Sequence, residues 1–166
     1  LGTVLNYNSY GIELSDLHFH PADLYQVVHQ YADPFTFIHE EEKYQRLLNY
    51  YKMDLEQASS IKPTSESTKS TTLIHLPNTS WARRVSGIYV NQLARENPNK
   101  AHALLTELPA GGYRISLRAP LSTKQNADTL CRQFETGGGR AAAAGINHLK
   151  QVDYDYFVEK FIEIYS

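Results

Sequence analysis

The sequence predicts an α/β fold, a mixed β-sheet flanked by helices and preceded by a helical linker segment. Three observations carry this. Apolar residues recur at helical spacing up to about residue 59. A polar stretch, residues 62–71 (Lys-Pro-Thr-Ser-Glu-Ser-Thr-Lys-Ser-Thr), then interrupts the pattern. Beyond it short strand signals alternate with helical stripes, and one strand pair is joined by a glycine turn, which makes that pair antiparallel.

Taken in order, Leu1-Gly2-Thr3-Val4-Leu5 reads as the end of a strand entering a turn at Asn6-Tyr7-Asn8, inside a longer chain. Leu24, Val27, Val28 and Tyr31 form a helical stripe, with Pro21 suited to its first turn and Pro34 as its breaker. Tyr44, Leu47, Leu48, Tyr51, Leu55 and Ala58 mark a longer amphipathic helix over about 38–59, with Glu40-Glu41-Glu42 placed well for its N-terminus. After the polar stretch, 72–76 is a strand; Val85, Ile88, Tyr89 and Leu93 are a helix face; 102–106 is a second strand. Ala110-Gly111-Gly112 is a hairpin-type turn leading into a third strand, 113–118, closed by Ala119-Pro120. Ala127, Leu130, Cys131 and Phe134 form another helical stripe, and Phe157, Val158, Phe161, Ile162 and Tyr165 the last. The domain organisation expected is a helical connector over 1–69 and an α/β domain over 70–166.

The 166 residues suffice for one domain with a proper core. No apolar run approaches the ~18 residues that span a bilayer, so no membrane role is expected and a cytoplasmic location is the default. A single cysteine, Cys131, excludes an internal disulfide and a multi-cysteine metal site. The net charge of −2 divides unevenly. Residues 1–70 hold five basic against ten acidic side chains, and residues 71–166 eleven against eight, giving −5 and +3. An anionic ligand is therefore expected to meet the second half, although +3 is too small for tight binding of long nucleic acid by charge alone.

The segment Glu135-Thr136-Gly137-Gly138-Gly139-Arg140-Ala141-Ala142-Ala143-Ala144-Gly145 is the strongest candidate for chemistry. Three glycines let backbone approach a ligand, four alanines favour a following helix whose N-terminal amides point at the same place, and Arg140 adds a charge-assisted contact. A flexible turn between two helices is the alternative. Alternation in the third strand puts Arg114, Ser116 and Arg118 on one face, toward solvent or a charged ligand. Arg83-Arg84 stand at a helix start, where they oppose the helix dipole; solvated arginines are the ordinary explanation and an anionic partner the alternative. His18 and His20 could share a strand face and hold a metal, but no third ligand has diagnostic spacing. His75, His102 and His148 fall in or beside strands, where structural histidines are usual. Cys131 lies on an apolar stripe, as a buried inert thiol does. No residue pattern supplies a convincing acid, base or nucleophile.

Ser116-Leu117-Arg118, followed after a spacer by Phe134-Glu135-Thr136-Gly137-Gly138-Gly139-Arg140 and the alanine run to Gly145, resembles the C-terminal DHH-associated domain of the DHH phosphoesterases over about 70–165. That superfamily includes single-strand-specific exonucleases, oligonucleotide and cyclic-dinucleotide phosphodiesterases and exopolyphosphatase relatives. The resemblance implies a hydrolase parent in which a separate N-terminal domain binds two divalent metals, usually manganese, while the C-terminal domain holds substrate. It places Arg118 and Gly137 to Gly139 on substrate phosphate, and likens Leu1-Gly2-Thr3-Val4 to the stretch leaving the catalytic domain. The chain alone is then expected to be inactive and to carry no cofactor. Its expected partners are a phosphate-containing small molecule or short single-stranded nucleic acid, together with the N-terminal domain. Many members have Gly-Gly-Gly-His where this chain has Arg140, which keeps the charge and removes a neutral acceptor.

Two other classes stay open. Arg140 to Gly145 loosely matches the pyrophosphate loop of coenzyme A-dependent acetyltransferases. Residues 1–60, with Tyr7, Tyr10, Tyr25, Tyr31, Tyr44, Tyr50 and Tyr51, suit a non-enzymatic regulatory or oligomerisation module, a homodimer among the states they allow.

Overall fold

A computed structural model describes residues 1–166. In chain order it contains α1 (Gly2–Tyr7), a 3-10 turn (Leu14–Asp16), α2 (Pro21–Val28), α3 (Pro34–Glu40), α4 (Glu42–Ser60), β1 (Thr71–Leu76), α5 (Ser80–Glu96), β2 (Ala101–Glu107), β3 (Tyr113–Arg118), α6 (Ala127–Cys131), β4 (Gly137–Arg140), β5 (Ala143–Leu149), a second 3-10 turn (Gln151–Asp153) and α7 (Tyr154–Tyr165). The fold is α/β with a mixed sheet and helices before it. No helix is long and apolar enough to cross a membrane. Two compact units are present, one of 1–60 with 79–85 and one of 61–78 with 86–166.

In the larger unit the strand order is β1-β2-β3-β5-β4. The β1–β2 pair is parallel, as a strand–helix–strand connection through α5 requires, and the other three pairs are antiparallel. One face carries Leu73, Ala103, Leu105, Ile115, Leu117, Ala144 and Ile146, which form a single core with Leu130 and Cys131 of α6 and Phe157, Val158 and Phe161 of α7. On the opposite face Thr72, Ile74, Leu76, Leu104 and Thr106 are buried, and Ile88, Tyr89, Val90, Leu93 and Ala94 are the buried apolar residues of the second half of α5. The polar stretch before β1 guards the sheet edge. The Thr64 and Thr68 amides donate to the Leu73 and Thr71 carbonyls, so the outer edge of β1 is occupied rather than left as a pairing template.

The smaller unit packs Val4, Tyr7, Leu24, Phe37, Tyr44, Leu47 and Ala58. Asp33 caps α3 by accepting from the Thr36 amide at 2.8 Å, and Pro34 opens that helix rather than merely ending the one before. The long helix expected over 38–59 divides because Glu41 is extended, so α4 starts at Glu42. The opening residues correct the strand expectation. They form α1, whose Val4 and Tyr7, three apart, both turn inward.

Arg83 and Arg84 are not solvated arginines. Arg83 clamps the Asp16 carboxylate with two nitrogens, its Nε at 2.8 Å from Oδ2. Arg84 Nε donates to Asp54 Oδ2 at 2.8 Å and to the Tyr7 hydroxyl at 3.1 Å, and another of its nitrogens donates to the Asp16 carbonyl. Tyr7 donates to Asp54 in turn and bonds His18 Nε2 at 2.8 Å, while the His18 ring stacks on Tyr50. The two arginines of one dipeptide thus tie α1, the first 3-10 turn, α4 and the start of α5 together. A buried arginine is tolerated because every strong contact is charge-assisted.

Arg83 beside Asp16 holds that carboxyl far below the usual carboxylate range. For Asp54 burial acts to raise the value, and contacts with His18, Arg84 and Tyr7 outweigh it, so it too lies below the ordinary value. Both groups therefore bind protons more readily in the unfolded chain, where Asp titrates near ~3.9. Their stabilisation is complete well above that value and is lost as pH falls through it toward the folded-state values. Asp16→Asn is expected to destabilise this unit by about 3 kcal/mol at neutral pH in urea unfolding. The difference from the wild type should shrink between about pH 5 and about pH 3.

Candidate functional site

The glycine–alanine segment is a β-hairpin, which corrects the expectation of a glycine loop leading into a helix. Gly137–Arg140 form the edge strand β4, Ala141-Ala142 the tip, and Ala143–Leu149 the inner strand β5. Four alanines give a helix preference of only a few tenths of a kcal/mol per residue, and pairing overrides it. Ala144 is buried in the core, and β5 is bonded on both sides, by β3 and by β4. Two-residue hairpin tips usually need positive φ, which neither alanine adopts. Their carbonyls are held instead by the amides of Ala127 and Ala119, at 2.9 and 3.1 Å. With no helix N-terminus here, the acetyltransferase-type pyrophosphate loop also lacks its structural basis.

The three glycines have three different surroundings. A Cβ on Gly137 would stand 1.7 Å from the Cys131 carbonyl oxygen, at the end of α6. Gly139 has φ 141°, and its Cβ would stand 2.5 Å from Ala144 Cα. Both must be glycine for the hairpin to lie against its neighbours. Gly138 has nothing within 4 Å of its Cβ position and does not have a positive φ. Neither space nor backbone conformation within the chain requires a glycine there.

Register shows what surrounds Gly138. Gly138 faces Gly145, and Gly145 faces Ser116; Arg140 faces Ala143, and Ala143 faces Arg118. Directly opposed residues share a sheet face. Ser116, Arg118, Ala143, Gly145, Gly138 and Arg140 therefore lie together on the face opposite the α6–α7 core. At the usual interstrand spacing the Arg118 and Arg140 backbones are about 10 Å apart. Between them lies the Ala143 methyl group, and the adjoining row offers two bare glycines, Gly145 and Gly138. Arg140 is exposed and Arg118 and Ser116 half-buried. Arg118 Nε donates to Asn91 Oδ1 of α5 at 2.7 Å, and a terminal nitrogen donates to the Leu117 carbonyl at 2.8 Å.

Arg114 is on the same face of β3 but outside this group. The β3–β5 register shifts between Tyr113 and Ile115, so a bulge lies beside it. Its Nε is buried without a hydrogen-bond partner. Gly137 and Gly139 direct their Cβ positions to the opposite side, in register with Ile146 and Ala144. The structure thus gathers Ser116, Arg118, Gly138 and Arg140 on one open face and sets Arg114, Gly137 and Gly139 around it. Two guanidinium groups beside a flat backbone floor suit an anion, not a cation.

The DHHA1 domain family model matches residues 70–166, more than half of the chain. The chain belongs to the DHHA1 domain family. It is a DHH-associated domain, as the Ser-Leu-Arg strand and the triple glycine suggested. Solved structures agree on the fold. A pGpG-specific phosphodiesterase, PggH, from Vibrio cholerae superposes with a TM-score of 0.64 at 14% identity, covering 89% of this chain and 51% of its own. An exopolyphosphatase-related protein from Bacteroides fragilis gives 0.52 at 16% identity, covering 89% and 46%. A DHH domain described as belonging to a family of ribosomal proteins gives 0.51 at 14%, covering 91% and 36%. This DHHA1 chain spans about half the length of the first two and about a third of the third. No curated protein matches it.

The remaining candidates in this DHHA1 chain have structural partners. Burial pushes the Cys131 thiol up to about 12, far from a nucleophile's range. His102 is fully buried on the Asn97 carbonyl, and burial lowers its pKa. His75 bonds the Tyr154 hydroxyl at 3.1 Å, and His148 the Gly111 carbonyl at 3.1 Å. No three His, Cys, Asp or Glu side chains gather in metal-binding geometry. Sequence reasoning missed Asn91, which is far from the motif in the chain, and counted Gly145 only as the end of the motif. The glycine surroundings make a direct prediction. In thermal or urea unfolding, Gly137→Ala and Gly139→Ala should each cost about 1–3 kcal/mol. Gly138→Ala should stay within about 0.5 kcal/mol of the wild type.

Proposed function

We propose that the β3–β5–β4 face binds the phosphate of a nucleotide or short single-stranded oligonucleotide, as the substrate-holding half of a DHH-type phosphoesterase. The observation that carries this is Gly138. It is a glycine with no steric or conformational reason inside the chain, on the same open face as Arg118 and Arg140 and in the row beside the one they share. A side chain there would keep a phosphate from reaching the strand backbone beside Arg140. Ser116 adds a hydroxyl donor, and Arg114 extends the positive charge along β3. Gly137 and Gly139 contribute by letting β4 lie flat. Family membership and the phosphodiesterase neighbour support a phosphorylated substrate.

In this reading hydrolysis belongs to a separate catalytic domain, reached through residues 1–69, which holds the divalent metals, manganese by resemblance. This chain's own residues bind and orient. Arg118 and Arg140 neutralise the phosphate from two sides, and the glycine floor admits it at backbone distance. Arg140 takes the place of the histidine common in the motif and supplies charge without a proton-accepting nitrogen.

Titration with short oligonucleotides and mononucleotides tests the assignment. Arg118→Ala and Arg140→Ala should each lose about 1.5–3 kcal/mol of binding energy. Gly138→Val should lose binding while keeping its melting temperature. Unchanged affinity in all three variants would remove the site. Separately, the purified chain supplied with manganese is expected to leave a generic phosphodiester intact, and turnover would overturn the division of labour.

A further inference from the structure

We infer that Asn91 of α5 is a positioning residue for Arg118, setting the orientation of its guanidinium group through an uncharged acceptor. The inference rests on the reading of the β3–β5–β4 face as an anion site. Asn91 is exposed, but its helix is held in place by buried side chains on either side of it, Val90 and Leu93. Its Oδ1 therefore offers a fixed acceptor at 2.7 Å from Arg118 Nε. The Leu117 carbonyl takes a terminal nitrogen of the same group at 2.8 Å. An arginine side chain has many rotamers, and a phosphate contact must freeze them. With two of its nitrogens already held, the plane of this guanidinium is set before a ligand arrives, so less ordering remains for binding to supply.

The chemistry of the acceptor matters as much as its position. Elsewhere in this chain arginines are held by carboxylates, Arg83 by Asp16 and Arg84 by Asp54. In those pairs the charge serves the fold. Asn91 and Leu117 present uncharged oxygens instead. An amide oxygen fixes Nε as a carboxylate would, without setting a negative charge against an incoming anion. An aspartate at 91 would keep the hydrogen bond and compete with the ligand for the same cation.

The experiment uses the full chain and a 5′-phosphorylated pentathymidylate, comparing wild type, Asn91→Ala, Asn91→Asp, Arg118→Ala and the two double variants that combine each Asn91 change with Arg118→Ala. Asn91→Ala should weaken binding roughly 3- to 10-fold, and by less than about 2-fold once Arg118 is alanine. Asn91→Asp should weaken binding at least as much as Asn91→Ala, although it preserves the hydrogen bond. A merely structural asparagine predicts the opposite, wild-type affinity for Asn91→Asp. The side-chain Nε–H resonance of Arg118 should shift in Asn91→Ala without ligand. If Arg118→Ala abolishes binding while both Asn91 variants bind as wild type, or if Asn91→Ala has the same effect with and without Arg118, the positioning role is wrong and the anion site stands. If Arg118→Ala binds as wild type, the positioning role falls; if the wild type does not bind the probe, both fall.

Discussion

Ser116, Gly145 and Gly138 stand opposite one another across β3, β5 and β4, and a side chain on the middle one has nowhere to go. A Cβ on Gly145 would come within 2.6 Å of the Ile115 carbonyl oxygen. This close three-strand register is the constraint on which the candidate site depends. A slip of one residue in β5 would reverse its faces, sending Ala144 and Ile146 out of the core and Ala143 and Gly145 into it. Arg118 and Arg140, 22 positions apart in the sequence, would then no longer share a row. The register is held from both ends. Ala119 and Ala127 grip the hairpin tip, and the Thr136 hydroxyl accepts from the His148 amide at 2.8 Å at the other end.

The same hairpin shows how the core side and the open face are divided among adjacent residues. Gly137 lets β4 approach α6, and Gly139 lets it approach β5, so those two serve the core side. Gly138, between them, points to the open side and serves no internal contact. Alternation along a strand makes this division possible, because neighbouring residues in a strand belong to different surroundings. Arginines are divided in a comparable way. Arg83 and Arg84 are held by buried carboxylates and knit the helices of the smaller unit together, whereas Arg118 donates to the neutral oxygens of Asn91 and Leu117.

Much of the fold could be read in the chain. The stripes of α2, α4, α5 and α7, the glycine turn between β2 and β3, and the buried alternation of Ile115 and Leu117 follow from local periodicity, which reflects burial directly. Two kinds of feature were not legible. Asp54 lies four residues before Ala58 on the buried stripe of α4, a charged residue in a core position, but its partner Arg84 is thirty residues away and only folding joins them. The run Ala141 to Ala144 reads locally as helix, and only pairing on both sides draws its second half into a strand. Local propensity is weaker than a pair of sheet ladders and a buried core position.

By itself the sequence determined the fold class, the family motif and the residue types of the candidate site: a triple glycine followed by Arg140, and Ser116 with Arg118 on one strand face. These are set by residue chemistry and short-range periodicity, which need no knowledge of the fold. The tertiary structure alone decided that the glycines form an edge strand, that Gly138 is the one without an internal reason, and that Asn91 reaches Arg118. Those outcomes depend on which strand lies beside which and in what register, and register is fixed by burial and backbone pairing between segments far apart in the chain.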